Sequence, residues 1–192
     1  QNLNVYNHDL SSLDLSQNSF LQTLNCKYNV LVELNLTGNP FLEDIDCSDN
    51  ILSEIDFTQN PFLQTLEIEN NLLEDIDLSQ NTALRYLDIG YNQLTTIDIT
   101  QCTALERLYL NENFLTSIDL SQNNLLEWAE LHNNYLETLD ISQNTLLCTA
   151  DSWYFKAEGN LMNCINVWPW TPDGSEFPGA GIWYNNFSKD DF

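Results

Sequence analysis

Basic residues are almost missing from this chain. Five Lys and Arg stand against 29 Asp and Glu, a formal charge of −24 over 192 residues. A field of that sign repels phosphate backbones and anionic lipid surfaces. Nucleic acids and acidic membranes are therefore poor partners; basic proteins, divalent cations and neutral glycans remain. Long apolar runs are also missing, so no segment reads as a membrane-spanning helix. Histidine occurs only at His8 and His132, and neither HExxH nor CxxC spacing occurs, which argues against a zinc site. No Ser or Cys nucleophile falls beside His132, and the many acid pairs sit at strand-surface positions unlike a tuned glycosidase pair. No enzyme, metal or cofactor assignment follows. Five cysteines are an odd number and too few for a disulfide-built scaffold. No signal peptide is visible: Gln1 already lies inside the pattern described next, as in an exported chain whose leader was removed or a chain that was trimmed.

What is present is repetition. LDLSQN at 13–18 returns as LNLTGN at 34–39, IDFTQN at 55–60, IDLSQN at 76–81, IDITQC at 97–102, IDLSQN at 118–123 and LDISQN at 139–144. Every step is 21 residues. A second element, LxxLxLxxN, lies between the copies, as in Leu84, Leu87, Ile89 and Asn92. Each unit thus has two halves: face A (LxxLxLxxN) and face B (LDLSQN). In both, x-L-x-L-x has period two, the mark of a short extended segment with one buried side. One unit cannot bury that side alone, but stacked units can, and their backbones then pair as parallel strands. The Asn that ends each half is expected to turn inward and bond the backbone of adjacent coils, with the Cys102 thiol standing in once.

The LxxLxLxxN unit with its Asn/Cys ladder resembles the leucine-rich repeats, over about residues 3–152. The resemblance implies a right-handed solenoid of 21-residue units, mostly β, with a parallel sheet on face A, short extended or β segments on face B, and little helix. The LDLSQN half and the short period are further similar to secreted repeat proteins of flavobacteria and their relatives. Those end in a cap to which Asn160, Leu161, Cys164, Ile165, Val167, Trp183, Phe187, Ser188 and Asp190 or Asp191 correspond, the closing Cys being absent. That likeness implies export to the bacterial cell surface or medium.

The domain reading is a solenoid over 1–152 and an aromatic C-terminal cap over 153–192, a stretch holding four of the five Trp. Its Trp168–Gly174 run reads as turn-rich loop. Leu147, Ala150 and Ser152 keep the repeat spacing, while Phe155 falls where the next Asn is due. Cys26 and Cys47 share one inward position and read as free core thiols. Cys148 and Cys164 flank the cap junction; whether they are bridged stays open.

Repeats allow an internal comparison. Face B is uniform: Asp14, Asn35, Asp56, Asp77, Asp98, Asp119 and Asp140 form one column, beside a Ser/Thr column and a Gln column. This reads as a solvated, hydrogen-bonded stripe, with weak Ca²⁺ association left open because one carboxylate per coil is sparse for that ion. Face A varies and turns aromatic in the later coils. The expected ligand-binding residues are Tyr86, Asp88, Tyr91, Arg107, Tyr109, Trp128, Glu130, His132 and Trp153. The function that follows is a non-catalytic extracellular recognition module that binds a protein partner through this face. The alternatives are a carbohydrate-binding module and a structural subunit of a bacterial surface assembly.

Overall fold

The structure is a computed structural model and describes residues 1–147, 155–162 and 164–166. It is a parallel β-solenoid. Its main sheet comprises β1 (Asn2–Asn4), β2 (Thr23–Asn25), β3 (Asp44–Asp46), β4 (Thr65–Glu67), β5 (Tyr86–Asp88), β6 (Arg107–Tyr109), β7 (Trp128–Glu130) and β9 (Phe155–Lys156), in that spatial order. From β1 to β7 each strand pairs in parallel with the residue 21 positions on, as in Leu66 with Leu87. Face A is therefore the sheet. Face B is extended chain ending in turns; among the described residues it forms a ladder only where β8 (Thr138–Asp140) pairs with β10 (Cys164–Asn166). No helix occurs among the described residues.

The core lies between the two faces. Leu24, Ile45, Leu66, Leu87, Leu108 and Ala129 point inward from the sheet, and Leu15, Leu36, Phe57, Leu78, Ile99 and Leu120 oppose them, all buried. Cys26 and Cys47 are fully buried free thiols in one column of this core. Burial, with the charge of Asp46 adding to it, pushes Cys26 up to about 12, so it stays a protonated thiol.

Buried turns free backbone groups that must find partners. Two Asn ladders supply them. On the face A side, the Leu73 N–H donates to Asn92 Oδ1 at 3.0 Å, while Asn92 Nδ2 donates to the carbonyls of Ile68 (3.0 Å) and Ile89 (3.2 Å). Asn29, Asn50, Asn71, Asn113 and Asn134 repeat this arrangement. On the face B side, Asn81 Nδ2 donates to Phe57 O and Asn60 O, linking neighbouring coils. Cys102 holds one rung through Sγ–H to Leu78 O at 3.7 Å.

Each face A coil turns on a left-handed residue just before its ladder Asn: Tyr28, Asp49, Asn70, Tyr91, Glu112 and Asn133, with φ between 52° and 55° or at 56° for Glu112. Gly159 takes this place in the last described coil at φ 69°, where a Cβ would meet Asn133.

The last coil corrects the sequence reading. Phe155 is not at the Asn position: it lies in β9 and pairs with Ala129, 26 residues back. The ladder rung is Asn160, whose Oδ1 accepts the Leu136 N–H at 2.9 Å and whose Nδ2 donates to Leu131 O. Ile165 pairs with Leu139 at the same 26-residue step. The coil is thus five residues longer than the others, and the sheets run into the stretch assigned to the cap.

Candidate functional site

The outward side chains of face A form a checkerboard. In register, Tyr86 lies beside Arg107 and Arg107 beside Trp128, while Asp88 lies beside Tyr109 and Tyr109 beside Glu130. The Tyr109 ring bridges the two columns, 5.4 Å from Tyr86 and 6.0 Å from Trp128 between centroids. Three half-buried aromatics therefore form one continuous row across β5–β7, with geometry that favours ring–ring attraction. Arg107 stands exposed among them.

Below Trp128, Glu130 anchors a small network. Its Oε1 accepts from Trp128 Nε1 (3.2 Å) and from Lys156 Nζ (2.7 Å). His132 Nδ1 lies 3.8 Å from Glu130 Oε2, too far for a hydrogen bond, and that buried nitrogen has no hydrogen-bond partner. The network fixes the Trp128 indole and ties β7 to β9.

The opposite flank of the row is acidic. Asp46, Glu67 and Asp88 occupy paired positions on β3, β4 and β5. Burial pushes the Asp88 carboxyl up to about 7; the Gly90 N–H it accepts opposes this, and the charges of Glu69 and Glu67 add to it. Burial and the Asp46 charge raise Glu67 as well. Burial and the Asp88 carboxylate also push the Tyr86 phenol up, so it stays neutral. Lys27 is the cation serving this cluster: its Nζ bonds Glu69 at 2.9 Å and pairs with Asp49 at 3.4 Å. Burial alone would disfavour its charge, but Glu69, Asp46 and Asp49 outweigh that and raise its pKa.

Of the expected residues, the structure brings Tyr86, Asp88, Arg107, Tyr109, Trp128, Glu130 and His132 together. Tyr91 lies elsewhere: it is the left-handed turn residue, on the edge with Glu112, Phe114 and Tyr135. Trp153 lies outside the described residues, as do Cys148 and the Cys148–Cys164 bridge question. Face B behaves as a hydrogen-bonded stripe. Asp14, Asp56, Asp77, Asp98 and Asp119 each accept the N–H of the residue two positions on at 2.8–2.9 Å. The hydroxyl of that Ser or Thr, the larger cause for Asp56, Asp77 and Asp98, and the N–H, the larger cause for Asp14 and Asp119, together hold their carboxyls below the ordinary range.

Two exposed features escaped the sequence reading. Phe20, Phe41 and Phe62 stack as a ridge along one edge, with centroids 6.1 and 6.4 Å apart and planes within 7°. On the other edge Phe114 stacks on Tyr135 at 6.0 Å. Reading the column before each Leu21-type position would have found the first.

Sequence-family models for leucine-rich repeats match residues 82–121, as two copies, and 132–146. The chain carries leucine-rich repeats and has the leucine-rich-repeat fold. Its fold recurs in the functional domain of InlJ from Listeria monocytogenes, a domain that includes a cysteine ladder, with 27% identity and a TM-score of 0.60 over 82% of this chain and 44% of that one. A leucine-rich-repeat protein of Leptospira interrogans is 24% identical, with a TM-score of 0.75 over 85% of this chain and 44% of that one. The leucine-rich effector YopM of Yersinia pestis is 24% identical, with a TM-score of 0.66 over 88% and 52%. The repeat protein thus spans about half the length of these structures. No curated protein matches it. Leucine-rich-repeat folds commonly mediate protein–protein interaction and are generally non-catalytic. Among the described residues no helix is long and apolar enough to cross a membrane.

Proposed function

We propose that this leucine-rich-repeat protein is a non-catalytic, exported recognition module that binds a protein partner through the sheet. The site is centred on Tyr86, Tyr109 and Trp128 and rimmed by Asp88, Arg107, Glu130 and His132. The observation that carries this reading is the continuous row of three half-buried aromatic rings on an otherwise polar sheet. Rigid aromatics provide contact area at little ordering cost, and a backbone fixed by ladders loses little entropy on binding. Of residues 153–192, read as a cap, Phe155–Lys156 and Cys164–Asn166 extend the sheets, and the rest would then close the apolar end of the coil stack. Export and surface display belong to the same proposal; the bacterial neighbours and the resemblance to flavobacterial secreted proteins support them. The test is purification from the native envelope, identification of co-purifying proteins, and comparison with Tyr109→Ala and Trp128→Ala. Loss of the partner in both variants is expected. Unchanged partner binding refutes the site, and glycan-array binding lost in the same variants would replace the protein partner with a sugar.

A further inference from the structure

Resting on that reading, we propose that the partner presents a cationic extended segment to the sheet, with basic side chains over β3–β5 and apolar ones over the aromatic row of β5–β7. Three observations converge. The first is register: Asp46, Glu67 and Asp88 are direct cross-strand neighbours. Like charges so placed are destabilising, so the isolated fold gains nothing from this arrangement. The second is a cation already seated there. The Lys27 ammonium reaches over two coils to Glu69 and lies 5.2 Å from the Tyr28 ring centroid, which shows what the surface accepts. That single ammonium leaves Asp46, Glu67 and Asp88 without an ion pair among the described residues. The third is adjacency. The aromatic row begins at Tyr86, on the same strand as Asp88. Aromatic faces take Arg side chains as well as apolar ones. A basic segment would thus supply the missing counter-charges and cover the rings in one pass, with the field of a −24 chain steering its approach.

The experiment uses an octapeptide of four Arg followed by four Leu, so that an extended chain sets a basic block beside an apolar one, with its Glu–Leu counterpart, titrated calorimetrically into the full chain at low and at physiological salt. Saturable one-to-one binding of the Arg–Leu peptide is expected, weakening about tenfold between the two salts. Glu67→Gln with Asp88→Asn should weaken it by a similar factor. The control, Asp77→Asn with Asp98→Asn, removes the same charge from face B and keeps its turns, as Asn35 does naturally; it should leave binding intact. Equal binding of the Glu–Leu peptide, equal loss in the face B control, or no binding overturns the proposal. The co-purified partner separates this idea from the previous one. If it is lost in Tyr109→Ala but indifferent to salt and to Glu67→Gln with Asp88→Asn, the sheet site stands and the cationic partner falls. If it is indifferent to all of these, both fall.

Discussion

Asp88→Asn should make the protein more stable, by an amount that grows as pH rises from 3.8 to about 7. The carboxyl titrates near 7 in the folded chain against 3.8 unperturbed, a difference of about three units. At about 1.4 kcal/mol per unit this sets a ceiling of about 4 kcal/mol. Partial solvent contact reduces it, and about 1–3 kcal/mol is the expected gain. The sign follows from proton counting. Between 3.8 and about 7 the unfolded chain holds fewer protons at this site than the folded one. Wild-type stability from this group therefore falls as pH rises through that window and is flat above it. Asparagine cannot ionise, and its Oδ1 keeps the Gly90 N–H. The gain of the variant should be near zero at the acid end of the window and full above pH ~7.5. The face B aspartates respond with the opposite sign, since their lowered carboxyls lose stability as pH falls, but they cancel when variant and wild type are compared at one pH. Urea unfolding followed by circular dichroism at both ends of the window measures this, with m checked because solenoids can unfold in segments. A gain of the same size at both pH values, or none at high pH, would refute the electrostatic reasoning.

Asn92→Ala should cost about 2–4 kcal/mol, because the Leu73 N–H and the Ile68 carbonyl lose partners in a buried turn; Asn70→Ala, at an exposed turn, should cost under about half of that in the same denaturation assay. Phe41→Ala breaks two stacked contacts of the Phe ridge and should cost about 1–3 kcal/mol, against one contact and a smaller loss for Phe20→Ala. Equal losses would show that stacking is not the source. Tyr91→Asn puts a left-handed-tolerant residue at φ 52° and should raise the unfolding midpoint by the equivalent of about 0.5–1 kcal/mol, with partner binding unchanged. Lost binding there would return Tyr91 to the site.

The solenoid was legible because its reasons recur at fixed spacing. Leu87, Leu108 and their equivalents are inward because stacking demands it, and Asn92 or Asn81 is where the coil turns and must satisfy its backbone. The Tyr86–Tyr109–Trp128 row was legible in part, since period two places alternate strand residues on one side. That alternation lasts three residues per coil, Tyr86–Asp88 in this case, after which the left-handed turn resets direction. Tyr91 was misplaced for that reason. The longer last coil was hidden by coincidence: Leu147, Ala150 and Ser152 satisfy the 21-residue spacing, while the strand actually resumes at Phe155. The Phe ridge was overlooked because its column changes to Ala83 and Ala104 after three coils.

The two halves of the unit show why position, not motif, decides what an aspartate does. Asp98 on face B and Asp88 on face A sit in the same x-L-x-L setting and accept the same hydrogen bond, from the N–H two residues on, at 2.9 and 3.2 Å. On face B water and the Thr100 hydroxyl complete the carboxylate, and its pKa falls. On face A burial removes the water, Glu67 and Glu69 add like charge, and the pKa rises. A cation arriving at face B would have to compete with groups that already satisfy each carboxylate. At face A it would supply what burial took away, and it would gain the neighbouring rings as well. The repeat places carboxylates on both faces, but only on the sheet does the surrounding structure leave them better served by a partner than by the chain itself.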